Sequence, residues 1–112
     1  MNLKNLAGAS AKPIILSLLL SGESYGYKII KRVRHVSGGT LEWSNAMLYP
    51  VLHRMEKDGL IRSEWKASEE NRMRKYYFLT ERGRRELTAE KEQWRGLQET
   101  LRKLLSPAEA AD

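Results

Sequence analysis

No cysteine occurs in the 112 residues. Disulfide frameworks, thiolate nucleophiles and cysteine-bound zinc are therefore excluded together. Histidine is scarce too. His35 and His53 stand 18 positions apart, without a paired metal-ligand spacing, and the sequence offers no metal site. The longest apolar run, IILSLLL at 14–20, is far short of the roughly 20 residues a membrane-crossing helix needs. SGESYGY follows it where a secretory signal would end in small residues, so the run reads as a buried helix of a cytoplasmic protein with no membrane partner. Acidic residues are also in deficit. Fourteen Asp and Glu against twenty Lys and Arg leave a net charge of +6, which favours a polyanionic partner over an acidic-patch protein.

One domain's worth of chain remains to be organised. A first helix is expected from about Lys12 to Leu20, with Pro13 in its first turn, and residues 1–9 and 106–112 are expected to fray. Ser24 is placed to cap a second helix, with Gly26, Ile30, Val33 and Ser37 along one side, which Gly38-Gly39 ends. Gly26 would let another group approach the backbone closely. In SNAMLYPVLHRMEKDGLI, at 44–61, Leu48, Val51, Leu52 and Met55 keep the spacing of a buried helical stripe. Gly59 followed by Leu60 predicts a glycine-terminated ending in which Leu60 packs back on Met55.

The periodicity then changes from helical to alternating. LIRSEWK at 60–66 and MRKYYFL at 73–79 read as two strands of a hairpin, with ASEENR as its tip. Thr80 caps a last helix from Glu81 to about Leu105, roughly 37 Å long at the standard rise. Leu87, Trp94 and Leu101 fall seven apart on it, and Leu97 and Leu104 fill the companion positions. That is a coiled-coil-like seam, interrupted by Glu90.

Three helices followed by a hairpin in a basic chain make an α+β winged helix-turn-helix over residues 1–80. The long C-terminal helix, 81–112 with its tail, stands apart as the dimerisation element. The third helix is then the recognition helix and the two-stranded hairpin the wing. Its outward face carries Asn45, Tyr49 and His53, with Ser44 at the start and Arg54 and Lys57 beside them; such groups can read base edges and phosphates, and equally make a plain solvated face. Arg74, Lys75, Asn71 and Arg72 gather at the wing tip, where Glu69 and Glu70 temper the charge. The start of the second helix, with Tyr25, Tyr27 and Lys28, offers free backbone N–H groups to a phosphate; the alternative is that the tyrosines pack on the core.

SGESYGYKI, MLYPVLHRMEKDGLI and RKYYFLTERGRREL resemble, in order and spacing, the PadR family of bacterial transcriptional regulators, from about residue 13 to 105. The resemblance implies a winged-helix repressor that dimerises through its C-terminal helical region on a double-stranded operator with two-fold symmetry. A single helix after the wing looks like the short subfamily. Some short members hold flat aromatic compounds at the dimer interface with a tryptophan of the last helix, where Trp94 is comparably placed; a hydrophobic anchor in the seam is the simpler role for it.

Pro50, inside the recognition helix, either bends the helix so as to aim Ser44, Asn45 and Tyr49 or is a tolerated fit. An enzyme is not expected, because no nucleophile has a base by motif and no glycine-rich phosphate loop precedes a helix; no cofactor is implied. Glu69, Glu70, Glu90 and Glu92 read as solvated surface. The competing functional class is a winged helix used only for protein–protein contact; RNA binding is disfavoured by the want of an aromatic sheet face.

Overall fold

The computed structural model describes residues 3–106, with side chains from Ser10 onward. Its elements run α1 (Leu3–Leu20), β1 (Ser24–Tyr25), α2 (Gly26–Val36), α3 (Asn45–Lys57), β2 (Ile61–Ala67), β3 (Met73–Leu79) and α4 (Glu81–Leu105). This is the winged helix expected, with the hairpin as wing. Two boundaries and one strand differ from the sequence reading.

The first boundary is the start of α1. The helix begins at Leu3, ten residues ahead of Pro13, so the proline lies inside it and not in its first turn. Ala7, Ala9 and Ala11 surround that stretch, and alanine is the best helix former. The fraying expected of residues 1–9 is thus replaced by helical backbone from residue 3, and of the segment 106–112, also expected to fray, residues 107–112 lie outside the described residues. Ala11, Ile15, Leu16 and Leu19 form the buried stripe of α1.

The second boundary is the start of α2. Tyr25, in extended conformation, precedes the helix without any side-chain cap, and Ser24 is buried in a two-residue strand. Ser24 pairs with Tyr77 and Tyr25 with Tyr76, which makes a three-stranded sheet of order β1-β3-β2. On α2 the buried residues are Gly26, Ile29 and Val33, with Ile30 packed at the edge of the core, so the stripe is rotated from the one expected.

The helix endings follow the sequence closely. At the end of α2, Gly39 N–H donates to the Arg34 carbonyl (2.8 Å) and Gly38 N–H to that of His35 (3.1 Å). At the end of α3, Leu60 N–H reaches the Met55 carbonyl and Gly59 N–H that of Glu56, both at 3.0 Å, with Gly59 at φ 78°. Both are the paired 6→1 and 5→2 bonds that a left-handed residue after a helix permits. Ser44 caps α3 by accepting from the Met47 N–H, and Leu48, Leu52 and Met55 are buried as their spacing requires.

Thr80 joins two elements at once. Its hydroxyl oxygen accepts from the Gly83 N–H (3.0 Å), while its proton lies toward the carbonyls of Gly59 (2.7 Å) and Leu60 (2.9 Å). The end of α3 and the start of α4 are thereby fixed to one another. Gly83 is part of the same junction: a Cβ there would overlap the Leu60 carbonyl oxygen and the tip of Leu79.

Among the described side chains, the closest α1–α4 contacts come from the first half of α4. Lys12 Nζ lies 2.8 Å from Glu90 and 2.9 Å from Glu86, and Leu87 is buried in the core. Glu90, read from the sequence as solvated, is thus the acceptor of an interhelical ion pair and largely buried, which is why a carboxylate interrupts the seam. From Lys91 to Leu105 every residue is exposed. The radius of gyration, 16.5 Å, exceeds the roughly 13 Å of a compact chain of this length, because this half of α4 projects from the body.

Candidate nucleic-acid interface

The outward face of α3 is open. Asn45, Tyr49, His53, Arg54 and Lys57 are all exposed, and Ser44 uses one oxygen lone pair for its cap. Arg54 is 3.9 Å from Asp58, an exposed pair that water weakens. Tyr49 leans across the first turn of α2, where a Cβ on Gly26 would stand 2.5 Å from its hydroxyl. The close approach read from Gly26 therefore has a partner, and it is a side chain of the recognition helix. Burial, with Glu56 and Tyr49 nearby, pushes the Tyr77 phenol above its usual range, so it stays protonated at the inner end of this surface.

At the start of α2 the tyrosines are engaged with the wing. Tyr25 meets Tyr76 edge to face, centroids 5.2 Å apart. The Arg74 guanidinium lies 4.8 Å over the Tyr25 ring and 5.7 Å from that of Tyr27, and Lys31 covers Tyr27 at 5.3 Å. Arg74 is also within 3.6 Å of Glu70, and its Nε is buried with no hydrogen-bond partner among the described residues. It is built into the joint between wing and α2, whereas Lys28 beside it is exposed. Such cation–ring contacts are worth more when partly desolvated, as here.

The wing tip is organised by Ser68, whose N–H donates to the Arg72 carbonyl (2.7 Å) and whose carbonyl accepts from the Asn71 N–H (2.9 Å). Asn71 takes a left-handed conformation (φ 60°), one that asparagine tolerates. Asn71 and Arg72 are exposed, and Lys75 is half-buried, 5.8 Å from the Tyr77 ring. Of the residues expected from sequence, Tyr25, Tyr27, Lys28, Tyr49, Arg74 and Lys75 are brought together around two grooves, whereas Ser44, Asn45, His53, Asn71 and Arg72 line neither. One, of about 500 Å³, runs between α2 and the wing tip and is lined by Lys28, Lys31 and Arg32 but also by Glu69 and Glu70. The other, of about 390 Å³, lies between Tyr49 and the wing and is lined by Arg74 and Lys75 without a carboxylate. Trp65 and Met73, which line the second, were not singled out in the sequence; strand alternation already put Trp65 on the side of Ile61 and so was the available signal.

A third groove, about 470 Å³ and almost wholly apolar, separates α1 from α4. Pro13, Ile14, Leu18, Val36, Leu87 and Trp94 line it. Leu87, expected at a dimer seam, belongs instead to the core of its own chain, at 3% exposure. Trp94, Leu97, Leu101 and Leu104 remain open, between 40% and 65% exposed.

Comparison with known proteins agrees with this arrangement. Residues 15–89 match the model of the transcriptional regulator PadR-like family. The structure is similar to that of a PadR-like transcriptional regulator from Bacillus cereus, with a TM-score of 0.81, 29% identity and coverage of 91% of this chain and 97% of that one. A transcriptional regulator from Clostridium thermocellum is similar at TM-score 0.80 and 31% identity, over 91% and 99% of the two chains. The transcriptional regulator YqjI of Escherichia coli is 29% identical over 80% of this chain, which spans 41% of that protein's length. The matched segment covers most of the winged helix and the buried half of α4, and on that ground the chain belongs to the PadR-like family of transcriptional regulators, winged-helix DNA-binding proteins and not enzymes.

Proposed function

We propose that this chain is a sequence-specific regulator that binds double-stranded DNA as a homodimer and represses transcription in response to a small molecule. Residues 1–80 act as the DNA-binding unit and 81–112 as the dimerising one, in the cytoplasm. The observation that carries the DNA reading is the open polar face of α3 beside a basic wing. Asn45, Tyr49 and His53 project from one side of a helix whose other side is anchored in the core by Leu48, Leu52 and Met55. A helix held in this way can enter a major groove, while Lys28, Arg54, Arg72 and Lys75 contribute phosphate contacts around it. Asn71 lies at the wing tip within reach of the adjoining groove. Arg74 acts chiefly by holding the wing to Tyr25 and Tyr27.

Dimerisation is supported by the outer half of α4. A stripe of Leu97, Leu101 and Leu104, continuing outward from Trp94, is exposed among the described residues, and an isolated helix of this kind gains most of its stability from packing. Two copies related by a two-fold axis would set their recognition helices about 34–36 Å apart, or a multiple of that, on a palindromic site. The same region supports the ligand reading. The apolar groove that ends at Trp94 suits a planar aromatic molecule, which by separating α1 from α4 would alter the spacing of the two wings.

Titration of a tryptophan-quenching series of planar aromatics tests the ligand proposal, with Trp94→Phe as control. Binding that quenches wild type and not the variant supports it; emission unchanged across the panel removes it.

A further inference from the structure

Trp65 and Met73 are large apolar side chains that the wing leaves in the open, each 64% exposed. The register places Trp65 opposite Lys75 and Ala67 opposite Met73. These residues share the hairpin face that, nearer its base, carries Ile61 and Tyr77 into the core. The core-side face of the wing thus continues past the core. What it overhangs is the groove of about 390 Å³ whose far wall is Tyr27 and Tyr49.

Two observations identify what this face meets. Cations line the groove, Arg74 and Lys75, with no carboxylate among its lining residues, whereas the groove on the other side of Tyr25 holds Glu69 and Glu70. The overhang is also continuous with the outward face of α3, because Tyr49 belongs to both. An occupant with negative charge beside an apolar surface, reaching the same face as the recognition helix, is the sugar–phosphate backbone of a DNA strand.

We propose that Trp65 and Met73 form an apolar shelf on which deoxyribose rings of one strand rest, next to a phosphate held by Lys75. This rests on the DNA-binding reading above. Every nucleotide offers a sugar, so the contact positions the duplex without reading its sequence. It also buries apolar surface without releasing counterions. Trp65 therefore adds affinity but no salt dependence, and Lys75 adds both.

The experiment uses the whole chain and a mixed-sequence duplex of about 30 base pairs, titrated over a salt series with wild type, Trp65→Ala, Trp65→Phe and Lys75→Gln. Trp65→Ala weakens binding roughly tenfold at every salt concentration, with the slope of log K against log salt unchanged. Trp65→Phe recovers most of the loss, and Lys75→Gln flattens the slope by about one. Acrylamide quenching, taken as the difference between wild type and Trp65→Phe, falls when the duplex is added. Equal affinity of wild type and Trp65→Ala, or equal quenching of Trp65 with and without DNA, overturns the shelf alone. Protection of Trp65 that rises with protein concentration in the absence of DNA also overturns it, assigning the face to a second copy. Absence of binding by wild type at low salt overturns the DNA reading beneath it.

Discussion

A methyl group on Gly83 has nowhere to go, because the Leu60 carbonyl and the Leu79 side chain already occupy its place. Gly96, in the same helix, faces open space. The two positions make opposite predictions for one substitution. Gly96→Ala stabilises by up to about 1 kcal/mol through helix propensity, whereas Gly83→Ala destabilises by roughly 1–3 kcal/mol as the junction is forced apart. Urea denaturation of the two variants compares them directly; equal effects would mean that the Thr80–Gly83 junction yields freely. Gly83 falls in the TERG stretch that carries the family resemblance, yet nothing local in the sequence says why a helix should begin with glycine there. The cause is a carbonyl more than 20 residues earlier. Arg74 shows the same limit: its charge suggested DNA, and its engagement with Tyr25 and Tyr27 depends on the strand β1 that the sequence did not reveal. By contrast, Gly26 signalled a close approach correctly, although only the fold supplies Tyr49 as the visitor.

Elements were legible where their causes are local. The stripe of α3 and its glycine ending, the hairpin, and the Thr80 cap each depend on residues within about two turns, and each stands as expected. β1 was illegible because two residues have no periodicity; it exists only because β3 offers an edge. α1 was cut short because proline marks a first turn more often than a helix interior. Pro50 is the other interior proline, and α3 is continuous through it. The orientation reading predicts that Pro50→Ala leaves the fold at least as stable but narrows the ratio of operator to shuffled-duplex affinity. A full ratio would reduce Pro50 to a tolerated fit. The α1–α4 contact makes a further prediction. The hydrogen bonds that Lys12 donates to Glu90 first and Glu86 second raise its pKa above the ordinary value, against a smaller effect of burial. A raised pKa in the folded state contributes stability that is complete below the unfolded value and is lost as pH climbs through the folded one. The difference in stability between wild type and Lys12→Met, about 1 kcal/mol after screening, should hold constant around neutral pH and shrink as the solution becomes strongly alkaline. A difference that vanished near neutrality would contradict the ion pair.

The whole molecule is shaped by an asymmetry along α4, whose first half joins the core and whose second half, beyond the groove that ends at Trp94, is exposed. Seven-residue spacing suggested a seam from sequence, but could not tell that its first member, Leu87, belongs to the core of its own chain. If the exposed half joins two copies, a charge at its centre, Leu101→Glu, gives a monomer in sedimentation while the circular dichroism of the winged helix is kept. A dimer of unchanged stability would place the interface elsewhere. Monomers would bind an operator far more weakly, since each half-site contact then acts alone.

Specific recognition of duplex DNA by the α3 and wing surface is tested by the affinity for the DNA upstream of the protein's own gene, set against a shuffled duplex of equal composition, over a salt series. A specific regulator prefers the native sequence by roughly a thousandfold or more and loses affinity steeply with salt, as phosphate contacts release counterions. Equal, weak and salt-insensitive binding to both duplexes would show that this surface does not recognise DNA.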